Sequence, residues 1–90
     1  MSDCIFCRIL RGEIPATLLY QDDRIVAFRD IAPQAPTHIL IIPREHIETL
    51  NDLRPGHAGV VGDMHLLAAQ LARAEGIADK GYRVVFNCGR

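Results

Sequence analysis

The chain has 90 residues, 49% of them apolar, and ten Lys+Arg against eleven Asp+Glu give a net charge of −1. That length and mixture fit one globular domain over residues 1–90, and the balanced charge without a basic run argues against nucleic acid as a partner. Three cysteines are an odd number, which disfavours a secreted disulfide framework and favours reduced or metal-bound thiols.

No apolar run approaches the roughly 20 residues of a membrane span, and Met1-Ser2-Asp3-Cys4 lacks a cationic leader, so a cytoplasmic protein with no membrane partner is expected. A domain this small removes only about 60–65% of its unfolded surface from water, so a second subunit or a metal is expected to support it.

Ile5, Phe6 and Ile9 fall at short helical spacing, and Gly12-Glu13-Ile14-Pro15 ends the run, which predicts one or two helical turns. Thr17 to Tyr20 and Arg24 to Arg29 are extended patterns around the turn residues Gln21-Asp22-Asp23, the signature of a β-hairpin. In its second arm Val26, Phe28 and Asp30 share one face. Two prolines, Pro33 and Pro36, break the ladder before His38-Ile39-Leu40-Ile41-Ile42. That run is apolar on both faces, as a covered central strand would be, and Pro43 terminates it.

A short helix is expected over Glu45 to Leu53, where Ile47, Leu50 and Leu53 are spaced by three. Pro55 then opens the main helix, whose apolar stripe is Val60, Met64, Leu67 and Leu71 with Ala68 and Ala72 beside it, ending near Gly76. Gly81 opens a fourth strand with Tyr82, Val84 and Phe86 on one side. Strands flanking one long helix read as α+β with an antiparallel sheet.

Cys4-x-x-Cys7 has zinc-ligand spacing, since two thiolates three residues apart on a tight turn can reach one ion. Two reduced, partly buried thiols fit the same pair. A thioredoxin-like redox motif does not, because that motif follows a strand and opens a helix. Asp30, at the end of an apolar strand, can offer two oxygens to adjacent hydroxyl donors or can simply cap a turn. Phe28 suits the core, Asn87 a strand end, and His38 a core or turn position. Cys88 has no partner at ligand spacing, and Arg44, Lys80 and Arg83 read as surface charges.

Taken together, Cys4-Ile-Phe-Cys-Arg-Ile, Gly12-Glu-Ile-Pro15, Ala27-Phe-Arg-Asp-Ile31, Pro33-Gln-Ala-Pro-Thr-His38, Ile42-Pro43 with His46-Ile47, and Gly81-Tyr-Arg-Val-Val-Phe-Asn87 closely resemble the histidine triad (HIT) family, nearest its nucleotide-binding branch. The resemblance runs over essentially the whole chain in the family's order. It implies a HIT-like antiparallel sheet, with four strands here and the fifth missing, beside one long helix and a short N-terminal one. The family's next segment, a strand bearing His-x-His-x-His, is not among these residues; His38, His46, His57 and His65 are scattered and no two alternate on one strand. The expectation is therefore a shortened or partly represented HIT protein whose last strand offers an open edge.

Several further expectations follow from the resemblance alone. In its complete form such a protein hydrolyses purine nucleoside phosphoramidates or related nucleotides, the middle triad histidine attacking the α-phosphorus to give a nucleotidyl-histidine that water resolves. Ile5, Phe6, Ile9, Phe28 and Ile31 would wall the base of an AMP-like purine nucleotide, Asp30 would accept from the ribose hydroxyls, Asn87 would lie near the phosphate, and His38 would stand at the pocket rim. His46 would join Cys4 and Cys7 around a structural zinc that braces the fold, no cofactor being required for the chemistry. A homodimer through the long helix and a neighbouring strand is implied. The competing readings are a catalytically silent nucleotide-binding dimer and a zinc-braced interaction module.

Overall fold

A computed structural model describes residues 5–30, 33, 35–47 and 49–86. The contacts divide the chain into two compact units, Met1–His46 and Ile47–Arg90. No helix among the described residues is long and apolar enough to cross a membrane.

The first unit opens with helix α1, Ile5–Leu10. Gly12, at φ +78°, stops it: its N–H donates to the Ile9 carbonyl and the Glu13 N–H to that of Arg8, the paired bonds of a glycine-terminated helix end. Arg11 Nε donates to Glu13 Oε2 at 2.6 Å and Arg8 Nε reaches Oε1 at 3.4 Å. The Arg11 hydrogen bond is the main cause of a Glu13 carboxyl held below its ordinary range.

Strands β1 (Leu18–Gln21), β2 (Ile25–Arg29) and β3 (Ile39–Pro43) form an antiparallel sheet in the order β1-β2-β3. Asp22 builds the hairpin turn. Its Oδ1 accepts from the backbone N–H groups of Arg24 (2.7 Å) and Ile25 (2.8 Å), and Oδ2 accepts from the Tyr20 hydroxyl at 2.7 Å. These bonds to the charged form, the Arg24 amide foremost, lower the Asp22 pKa. Arg44, just past β3, ties the turn across the sheet: its Nε donates to the Asp22 carbonyl and its Nη2 to Gln21 Oε1. Sequence patterning reads Arg44 as a bare surface charge; it is exposed, yet it is also a brace.

Partners in β2 and β3 run from Ile25↔Pro43 to Arg29↔Ile39. Directly opposed residues share a face, so Val26, Phe28, Ile42 and Leu40 lie on one side. There they form the core with Ile9, Leu10 and Ala16. Phe28 is 1% exposed, a burial worth about 1.5–3 kcal/mol by area. In β1 the register shifts between Leu18, opposite Phe28, and Tyr20, opposite Ala27, which marks a β-bulge.

Three expectations are corrected here. Among the described strands it is β2, not β3, that has a neighbour on each side; apolar faces report burial above and below a strand, not ladders along its edges. Among the described residues of the Glu45 to Leu53 stretch the only helical element is a 3₁₀ turn, Leu50–Asp52. Thr49 is extended and accepts from the Asn51 N–H, and Leu53 and Arg54 are extended again before Pro55. The cap and the proline leave room for a single turn. Finally, residues 81–86 carry the alternating pattern of a strand but are exposed and join no ladder among the described residues. Among the described residues the architecture is thus α+β with a three-stranded antiparallel sheet.

In the second unit a 3₁₀ turn at Pro55–His57 leads into α2, Ala58–Ala74. Leu67 and Ala72 are buried, with Val60, Met64, Ala68 and Leu71 half-buried beside them, the face the sequence pattern selects. Gly76, at φ +75°, ends it as Gly12 ends α1, with Gly76 N–H to Arg73 and Ile77 N–H to Ala72.

Candidate functional site

The candidate residues in the first unit gather at one end of the core face. Strand β2 carries Phe28 inward, and α1 lays the Phe6 ring against it at a centroid distance of 6.4 Å and an interplanar angle of 50°, a favourable tilted aromatic contact. Phe6 (38% exposed) and Ile5 (48%) remain open to solvent, while Ile9 is half-buried. Phe6 is therefore an exposed apolar platform, and Phe28 is its support from behind.

Asp30 continues the Phe28 row by one step of alternation. Its N–H donates to the His38 carbonyl at 3.0 Å, which extends the β2–β3 register one pair past the last strand residues. The side chains of that pair meet too: His38 Nε2 lies 3.3 Å from Asp30 Oδ2, with side-chain exposures of 30% and 20%. His38 precedes β3, which starts at Ile39. Beside Asp30 is a cleft lined by Pro15, Ala16, Thr17, Arg29 and Asp30. Of the sequence-predicted residues that are described, only Asp30 is in that lining. Thr17 and Arg29 were not singled out, although the Arg29 N–H donates to the Thr17 carbonyl; such a pairing follows only from the bulged register. Ile31 and Asn87 lie outside the described residues.

The predicted metal ligands divide in the same way. Cys4 lies outside the described residues, whereas Cys7 Sγ is 3.2 Å from His46 Nδ1. Two bonds of about 2.3 Å and 2.0 Å meeting at a tetrahedral ion place sulfur and nitrogen roughly 3.5 Å apart. The Cys7–His46 pair is close to that spacing. No group of three or more His, Cys, Asp or Glu able to hold a metal occurs among the described residues.

A family model described as the scavenger mRNA decapping enzyme C-terminal binding region matches residues 3–90. The chain is 52% identical over 89 residues to the purine nucleoside phosphoramidase of Escherichia coli, covering 99% of this chain and 75% of that protein. The chain belongs to the histidine triad family. Protein HitA of Neisseria gonorrhoeae is 41% identical over 90 residues, which cover 83% of its length. Among solved structures, a HIT family hydrolase from Legionella pneumophila matches with a TM-score of 0.91 at 51% identity, over 96% of this chain and 77% of that one. A HIT family hydrolase from Clostridium thermocellum gives 0.94 at 44%, over 99% and 77%. The HIT fold thus accounts for the sheet, the long helix and their order.

Proposed function

We propose that this HIT protein binds a purine nucleotide and serves as a nucleoside phosphoramidate or nucleotide hydrolase. The observation that carries the reading is the exposed Phe6 ring seated on buried Phe28, with Asp30 next along the same sheet face. An aromatic platform beside a carboxylate suits a base joined to a diol, because the ring stacks and the carboxylate accepts two hydroxyl hydrogens. The 52% identity to a purine nucleoside phosphoramidase supports the substrate class. In this reading Ile5, Phe6 and Ile9 hold the base with Phe28 and Ile31, Asp30 takes the ribose, His38 stands at the rim and Asn87 is near the phosphate.

The chemistry proposed is two in-line displacements at the α-phosphorus, first by a histidine nitrogen expelling the amine and then by water. The nucleophile belongs to the His-x-His-x-His strand, which these 90 residues do not include; what they supply is the nucleoside half of the site. Cys4, Cys7 and His46 are proposed to hold a structural zinc, supported by the Cys7–His46 separation. The ion would neutralise the thiolate and tie α1 to the end of β3, taking no part in the reaction. A homodimer is also proposed, supported by the exposure of Leu66 (65%), Val85 (59%) and Phe86 in the second unit.

Calorimetry with AMP tests the nucleotide reading. Binding that is lost in Asp30→Ala is the expected result, and unchanged affinity removes Asp30 from the site.

A further inference from the structure

We infer that Leu18 is a specificity-determining residue, closing the base slot from the β1 side and making it favour two-ring bases. This rests on the nucleotide reading above.

Leu18 stands opposite Phe28 in the β1–β2 ladder, and the Arg29 N–H donates to the Thr17 carbonyl at 3.1 Å just beside that pair. A bond placed so flanks a pair that is not itself hydrogen-bonded, where the two side chains come closest. Phe28 is 1% exposed and Leu18 46%, so the leucine forms a rim beside a sealed ring. Phe6 meets that ring from α1; Leu18 flanks it from β1. Pro15, Ala16 and Thr17 line the cleft beside Asp30, and Leu18 follows them, so one stretch of chain borders first the carboxylate and then the platform.

A single exposed leucine is ordinary on a protein surface. The β-bulge makes this one different. Counted back from Tyr20, which is opposite Ala27, strict alternation would put Leu18 on the Ala27 side, away from the platform; the extra residue turns it to Phe28 instead. Bulges are frequent beside functional sites because they re-aim a side chain in this way. Asp30 and Phe28 are two residues apart along β2, about 7 Å by strand rise. With the sugar at Asp30, a purine carries its six-membered ring beyond the five-membered ring that joins the sugar, and that second ring is what reaches Phe28 and covers Leu18. A pyrimidine ends sooner and leaves the leucine in water. Covering an apolar side chain that was wet favours binding, so the gain goes to purines.

Calorimetry with AMP and with CMP, on the wild-type protein and Leu18→Ala, tests the assignment. The expected result is tighter binding of AMP than of CMP by wild type, a loss of AMP affinity of roughly fourfold in Leu18→Ala, the size of one buried CH₂ group, and little change for CMP. An equal loss for both nucleotides, or none for AMP, overturns the role of Leu18 and leaves nucleotide binding in place. Methyl NMR decides the matter even if Leu18→Ala does not fold. With the Leu18 methyl resonances assigned through Leu18→Met, AMP should shift them by the ring current of its base, and ribose 5-phosphate should not. Methyls unmoved by AMP, or moved as far by the sugar phosphate, overturn the proposal. If wild-type protein binds neither nucleotide, the nucleotide reading itself has failed and takes the specificity of Leu18 with it.

Discussion

Cys7 Sγ and His46 Nδ1 stand 3.2 Å apart although 39 positions separate them in the chain, so the end of β3 is brought back onto α1. A zinc ion at that point would close a loop of nearly half the protein. Removing an ion that binds only the folded state costs the stability its binding supplied. The protein as purified is expected to carry one zinc per chain by elemental analysis and to melt at a lower temperature after chelation. Cys7→Ser should abolish both the metal and the response to chelator; a chelator-insensitive melt in metal-free wild type would leave the thiols simply reduced.

The two phenylalanines of the platform should fail in different ways. Phe28 is sealed in the core, so Phe28→Leu should destabilise the fold by about 1–2 kcal/mol, and Phe28→Ala by about 3–5 kcal/mol. Phe6 is open on one side, so Phe6→Ala should change thermal stability far less and weaken AMP binding instead. Denaturant titration and calorimetry on the same variants check the division of labour.

Asp22 gives the hairpin a pH dependence of known sign. Its pKa is lowered in the folded state from a starting value of 3.8 by the Arg24 and Ile25 amides and the Tyr20 hydroxyl. A depressed carboxyl contributes stability that is present above the unfolded pKa and is lost as pH falls through the folded one. Stability should therefore drop from about pH 4 downward. In Asp22→Asn that part of the drop should be missing, as followed by denaturant midpoints across the acid range.

Two glycines should respond to alanine with opposite signs. Neither Gly62 nor Gly76 has a heavy atom within 4 Å of where a Cβ would sit, so sterics with neighbours decide nothing. Gly62 lies inside α2, and Gly62→Ala should stabilise by about 0.5–1 kcal/mol through helix propensity. Gly76 is at φ +75°, where an L side chain crowds its own carbonyl, and Gly76→Ala should cost about 1–2 kcal/mol. Thermal melts of the pair give the signs directly.

Much of this fold is legible in the sequence because local chemistry and pattern agree. Asp22 sits where a hairpin needs a carboxylate, Gly12 and Gly76 sit where helices end, and the Val60 to Leu71 stripe selects the buried side of α2. What escapes is what depends on a neighbour. The alternation of Tyr82 to Phe86 says which side chains point together but not which backbone will pair, and among the described residues none does. The Ile47, Leu50, Leu53 spacing fits a helix that Thr49 and Pro55 confine to three residues. At the site, the strand pattern places Asp30 on the Phe28 face, yet its partner His38 follows only from the β2–β3 register, which periodicity does not fix.

The extra residue in β1 works as a rotary joint. Because the pairing slips between Leu18 and Tyr20, side chains two apart end on opposite sides of the sheet, Leu18 beside Phe28 and Tyr20 beside Ala27. One short strand thereby serves the aromatic platform at its beginning and the Asp22 turn at its end. Were Leu19 instead to pair opposite Ala27, strict alternation would carry the tyrosine onto the Phe28 surface and separate its hydroxyl from the aspartate it now holds, so a slip of one residue at the rim sets the phase of everything after it.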